Sequence, residues 1–404
     1  MTHRISRYFG LAVLVTAAIV ASVAMTGCDF TNGLFAEATP TPMVGAVGNE
    51  TEYAPLGKTS TDSKGVTYVS NGNGTCTVTS IPYKAGMTKL TLETYSPDGD
   101  QVTVLAPGIL KDAKDLKEVV LPQGLYTICE YAFAGCTNLT KINIPNTVIS
   151  IEQHAFAQCT SMENVEFGAS LKVIGEAAFQ DCNGLTEVVL SGNMETLGTL
   201  CFSYCENLTS ITFTGLAQPN YTMILGCNNL HTLVINTTSP VLLDSFAYNT
   251  TIKKVVLGDN VPGVEESAFA GCHGIQEIVI GKNVEYLNNN CFYECDELVK
   301  VTFEGNSLVS LATGVFAYCP LLTEITLPEG CESIGAKCFI GDWELQRIHI
   351  PGSMTFVGES AFLQCEKLKE VTYSGSTKDW GNLSIRSGND LLKAANVTCD
   401  VVPE

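Results

Sequence analysis

The sequence predicts an α/β solenoid, a long array of stacked short repeats with a parallel β-sheet on one face and short helices or turns on the other. Three observations predict it. The motif Ala-Phe-x-x-Cys returns along the 404-residue chain at a nearly constant interval. Aligned on the phenylalanine, the units centre on Leu110, Phe133, Phe156, Phe179, Phe202, Ile224, Phe246, Phe269, Phe292, Phe316, Phe339 and Phe362. Eight of the eleven steps are 23 residues, two are 22 and one is 24. Self-similarity at a period of ~20–50 residues is the signature of a repeat array.

Each unit has one internal grammar. Cysteine follows the phenylalanine by three residues, a leucine or substitute follows by three more, and two apolar residues then alternate. In the second unit these are Phe133, Cys136, Leu139, Ile142 and Ile144. Alternation with a period of two reads as a strand with one face inward. Pro, Gly or Ser often follows, then further apolar residues (Val148, Ile151) and a helical or turn segment leading to Ala155-Phe156. One unit cannot bury its apolar face alone; stacked units can.

Ahead of the array, Arg4 and Arg7 precede an apolar run from Leu11 to Ala24. The run is short for a bilayer span and reads as a signal-peptide core over residues 1–27. It ends in Met25-Thr26-Gly27-Cys28, which resembles the lipobox of bacterial lipoproteins and implies lipidation at Cys28. The alternative is an ordinary signal peptide with a chance cysteine. Residues 28–62, with Thr39-Pro40-Thr41-Pro42 and scattered Gly, Ser and Thr, read as a flexible tether.

The composition excludes some partners. A formal charge of −20, with 22 basic against 42 acidic residues, argues against nucleic acid, which requires clustered Lys and Arg. No phosphate loop, Gly-x-Ser-x-Gly or His-Glu-x-x-His occurs, and His154, His231, His273 and His349 fall at different repeat positions. No catalytic residue, metal site or cofactor is expected.

The recurring cysteines are Cys136, Cys159, Cys182, Cys205, Cys227, Cys272, Cys295, Cys319 and Cys365. Ala113, Asn249 and Asp342 hold the same slot in other units. A slot that accepts those replacements asks for a small residue rather than a reactive thiol, and buried free cysteine behaves as a small apolar side chain. Cys201, Cys291 and Cys338 replace the alanine before phenylalanine. No zinc-like Cys-x2-Cys pair occurs. Disulfides between neighbouring rungs, or among the off-pattern Cys76, Cys129, Cys331 and Cys399, stay open for an exported chain.

The segments "NLTKINIPNTVISIEQHAFAQC" (138–159), "SLKVIGEAAFQDC" (170–182) and "LLTEITLPEGCESIGAKCF" (321–339) resemble the BspA-like leucine-rich repeat family of bacterial cell-surface proteins. The resemblance spans about residues 64–399. "GVTYVSNGNGTCTVTSI" (65–81) looks like that family's opening hairpin and "STKDWGNLSIRSGNDLLKAANVTC" (376–399) like a closing segment. The expected organisation is a capping region at 63–99, leucine-rich repeats at 100–375 and a C-terminal cap at 376–404. The resemblance implies adhesion to host extracellular proteins or to other bacterial cells.

Two columns should point outward from the sheet. The first alternates in sign from Lys254 onward, through Glu277, Lys300, Glu324, Arg347 and Glu370, and reads as a ladder of opposite charges. The second runs Val189, Thr212, Val234, Val256, Val279, Thr302 and Thr326, seven β-branched residues without a charge. Such residues favour strands whatever their role; facing solvent, they would also make an interaction stripe. The units around 216–250 lose first the phenylalanine and then the cysteine, and Tyr204, Tyr248 and Tyr318 share one slot. The expected function is protein binding by a non-catalytic, lipid-anchored, exported protein of the bacterial envelope. The alternatives are glycan or small-ligand capture and a structural role in the envelope.

Overall fold

The computed structural model describes residues 53–190 and 192–401, and the leader, Cys28 and most of the tether lie outside them. The described residues form a parallel-strand solenoid of about fourteen turns. Each regular rung contributes two strands, one to a front sheet and one to a second, narrower ladder.

The front strands are three to seven residues long and sit where the apolar alternation places them. They fall into three runs. Lys89–Thr91, Glu118–Val120 and Lys141–Asn143 form the first; Glu187–Val189 through Lys300–Phe303 form a six-stranded run; Glu324–Thr326 through Asn396–Val401 form the last. One interruption is the rung around Val165, where Glu163, Asn164 and Glu166 surround a single apolar residue and no strand forms. The other falls between Phe303 and Glu324, within the only 24-residue step, where one extra residue displaces the register.

The other side of the array is built of turns and two-residue strands rather than helices. Thr127–Ile128, Ser150–Ile151, Val173–Ile174 and Thr196–Leu197 extend one ladder, and Gly263–Val264 through Ser384–Ile385 form a second. Between them the chain runs through a single 3-10 turn, Tyr221–Ile224. Two residues of nearly every rung take left-handed backbone angles, one two places before the phenylalanine and one two places after it. In the unit of Phe202 these are Leu200 (φ 58°) and Tyr204 (φ 57°). Only Gly adopts this conformation without strain. Here Asp112, Gln158, Asp181, Tyr204, Tyr248, Glu294, Tyr318 and Gln364 do so as well. Rung-to-rung hydrogen bonds hold them, such as Tyr204 N–H to the Leu225 carbonyl at 2.7 Å.

The core is a stack of identical layers. The phenylalanines stack nearly parallel, with ring centroids 5.1 Å apart and planes 1° apart for Phe133 and Phe156. The stack runs from Phe133 to Phe202 and resumes from Phe246 to Phe362. Ile224 separates the halves.

The first end is covered by an antiparallel hairpin, Thr67–Ser70 with Thr75–Ser80, whose turn carries Gly72 and Gly74 at positive φ. Thr59–Thr61 pairs antiparallel with its outer strand, so residues 59–62 are part of this folded cap. The last rung is covered by helices Thr377–Asn382 and Asp390–Ala394. Ser376 and Asp379 cap the first of these helices reciprocally.

Candidate functional site: the outer sheet face and the rung edges

The outward columns are where the alternation puts them. Val189 pairs in register with Thr212, then Val234, Val256, Val279 and Thr302. Val189 is 52% exposed. Thr212, Val234, Val256, Val279 and Thr302 are half-buried by their neighbours, and Thr326 is exposed on the far side of the register break. At ~4.8 Å per strand, the hydrogen-bonded part of the stripe is about 24 Å long. It is flanked by Thr214, Asn236, Gly258 and Gly281, so the uncharged surface is two columns wide at its centre.

The charged column beside it forms ion pairs within each run of strands. Glu277 bridges Lys254 at 2.9 Å and Lys300 at 3.1 Å, and both lysines hold its carboxyl below the usual range through hydrogen bonds. Arg347 reaches Glu324 through Nε at 3.1 Å and through a second, shorter contact from Nη2. Lys300 and Glu324, on either side of the register break, are not among the ion pairs of the described residues. Alternation of sign therefore gives a ladder in two segments.

All sixteen cysteines of the described residues are free thiols, fifteen of them buried. The nine recurring ones share one role. Each thiol donates to the carbonyl of the phenylalanine slot in the preceding rung: Cys159 to Phe133 at 3.2 Å, Cys182 to Phe156 at 3.2 Å, Cys272 to Phe246 at 3.0 Å. Burial pushes the Cys136, Cys182 and Cys272 thiols up to about 12. Cys227 is the exception, held below the usual thiol range by a hydrogen bond from Cys205; the other eight are packing groups with a weak donor, poorly suited to nucleophilic or metal chemistry. Among the described residues, no group of three or more His, Cys, Asp or Glu could hold a metal ion.

One polar cluster on the sheet escaped sequence reading. His349 Nδ1 lies 2.8 Å from the Thr372 hydroxyl, and its Nε2 lies 3.1 Å from Ser374 Oγ. Ser374 Oγ in turn donates to Glu329 at 2.7 Å. A Ser-His-acid relay needs the carboxylate on the far imidazole nitrogen. Here a threonine occupies that side and the glutamate shares the serine's side, so the cluster ties strands together. The residues are 20 and 25 positions apart, and only the rung register brings them together.

The repeat grammar, now seen as rungs, matches the model of the BspA type leucine rich repeat region in six copies, over residues 106–231 and 241–369. The match covers more than half of the chain. The chain belongs to the BspA-type leucine-rich repeat family. The unmatched residues 232–240 lie in the irregular stretch. No curated protein sequence matches the chain. Among solved structures, it is similar to a leucine-rich repeat protein from Bacteroides ovatus, at 21% identity over 83% of this chain and 98% of that one, with a TM-score of 0.41. A leucine rich cell surface protein from Faecalibacterium prausnitzii matches at 24% identity over 81% and 97% of the two chains, with a TM-score of 0.39. A leucine-rich repeat protein of T. pallidum matches at 24% identity over 53% and 90%, with a TM-score of 0.40. As a leucine-rich repeat array, this chain is a protein-binding scaffold, of a kind generally non-catalytic. Among the described residues, no helix is long and apolar enough to cross a membrane.

Proposed function

We propose that this chain is a lipid-anchored adhesin of the bacterial surface that binds proteins through the outer face of its front sheet. The observation that carries the reading is the in-register, uncharged stripe from Val189 to Thr302, on a chain with a net charge of −20. β-Branched side chains on a hydrogen-bonded sheet are already immobilised, so a partner docking on them loses little further conformational freedom. The charged ladder beside the stripe would set orientation and suppress wrong partners. Cys28, with the segment that follows it, would supply the anchor and the reach. Host matrix proteins and surface proteins of other bacterial cells are the expected partners. The test is a binding screen of the purified chain against both classes, with Val234, Val256 and Val279 all changed to Glu in a parallel sample. Binding that survives those three charges refutes the stripe.

A further inference from the structure

Away from the sheet face, the irregular stretch opens a second kind of surface. A cleft of about 140 Å³ lies between the rung of Ile224 and the rung of Phe246. It is lined by Tyr221, Gly226, Asn228, Tyr248, Asn249 and Thr250, with no charged side chain in its wall. Both steps around Ile224 are 22 residues, one short of the repeat, and this rung uses the 3-10 turn in place of its first left-handed residue. The left-handed slot after the phenylalanine alternates here as Tyr204, Gly226, Tyr248, Gly271. Gly226 makes room for the Tyr204 ring of the preceding rung, which a Cβ at that position would strike.

The polar groups around the cleft are unspent. Asn249 stands where nine other rungs have a thiol, and only 5% of it is exposed. It does not repeat the thiol's bond. Its Oδ1 accepts from the backbone N–H of Thr251 at 3.0 Å and of Ile252 at 2.9 Å, which leaves Nδ2 without a partner in the protein. Nδ2 is open to solvent, so it is free to donate to an acceptor outside the chain. The side chains of Asn228, Thr250, Tyr221 and Tyr248 make no hydrogen bond within the described protein, and Tyr248 is 75% exposed.

We infer that this cleft binds a single neutral sugar ring. Exposed tyrosine rings offer flat apolar faces to a pyranose C–H face, while an amide and hydroxyls offer uncharged donors and acceptors to its hydroxyl groups. The volume is well below the ~300–1,000 Å³ of sites for drug-sized ligands, which limits the occupant to about one ring. The absence of Lys, Arg, Asp and Glu from the wall disfavours charged ligands. The site is separate from the stripe, so the chain would carry a carbohydrate contact beside its protein contact.

Saturation-transfer NMR on the full chain, with glucose, galactose, mannose and N-acetylglucosamine as probes, tests this. Tyr248→Ala removes an exposed ring. Asn249→Cys installs the thiol that the array accepts in this slot elsewhere, and circular dichroism confirms that each variant is folded. Tyr318→Ala is the control, because Tyr318 has the same slot and backbone conformation outside the cleft. Transfer to at least one sugar, weakened roughly tenfold by Tyr248→Ala and by Asn249→Cys but not by Tyr318→Ala, is expected. Charging Val234, Val256 and Val279 should leave it unchanged. No transfer to any of the four sugars, or transfer that both cleft variants leave intact, overturns the assignment.

Discussion

Asp342 Oδ1 accepts the backbone N–H of Cys319 from the preceding rung at 2.8 Å, while Oδ2, equally buried, has no partner. The carboxyl occupies the slot that holds a thiol in nine other rungs, and that thiol is a donor. Burial pushes the Asp342 carboxyl well above its usual range, only partly offset by the Cys319 N–H. The titratable groups that interact with it are the thiols of Cys319, Cys338 and Cys365, all of them pushed up, and no cation is among them. A neutral carboxyl is thus the form that fits.

The sign of the pH dependence follows. Above about pH 4 the unfolded chain releases this proton and the folded chain keeps it, so the native state loses stability as pH rises. Asp342→Asn and Asp342→Cys remove the group. Their unfolding free energies should match wild type near pH 4 and exceed it by ~1–3 kcal/mol at pH 8. Urea melts of the three proteins across that range check this. A difference that does not grow with pH would mean Asp342 is ionised in the fold.

The thiols should be silent toward reagents. Buried, raised thiols do not form the reactive thiolate. A colorimetric thiol reagent on the native chain should therefore find Cys399, which is half-buried, and none of the eight ladder cysteines other than Cys227, whose thiol a hydrogen bond from Cys205 holds below the usual range. In denaturant all should react. Fast labelling of Cys136 or Cys159 in the native protein would contradict the packing role.

Much of this was legible because the repeat states it many times over. The period, the inward pair of each strand, both outward columns and the small-residue slot could all be read from the chain. The second ladder could not. Its strands are two residues long, as at Ser150–Ile151, too short for an alternation to show. The left-handed residues were hidden for another reason: Tyr204, Glu294 and Gln364 are not turn formers, and neighbouring rungs rather than local preference hold them there. The thiol's bond to a carbonyl one rung back spans 26 residues, and nothing in the local sequence signals it. The cleft escaped because its signal was a loss of pattern at Ile224 and Asn249.

The aromatic stack predicts where damage is greatest. Phe269 lies between Phe246 and Phe292, with centroids at 5.4 Å and 5.3 Å, and is fully buried. Phe269→Ala should cost ~3–5 kcal/mol in a urea melt. Leu243→Ala, on an exposed side chain of the same region, should cost less than ~0.5 kcal/mol. Equal effects would contradict the layered core.

Glu277 between two lysines predicts a salt-dependent effect. Glu277→Lys places three like charges in adjacent register positions. The variant should melt below wild type at low ionic strength and approach it in ~1 M salt, where the Debye length is ~3 Å. A deficit independent of salt would point to lost packing instead.

The central claim is that the uncharged stripe binds a protein. Surface plasmon resonance of the purified chain and of the Val234→Glu, Val256→Glu, Val279→Glu variant tests it most directly. Both should be run over immobilised matrix proteins and over surface proteins of other bacteria, with circular dichroism confirming equal folding. Binding of the unaltered chain to at least one of these surfaces, abolished in the folded variant, is the predicted result. Equal binding by both proteins, or none by the unaltered chain, would contradict the account.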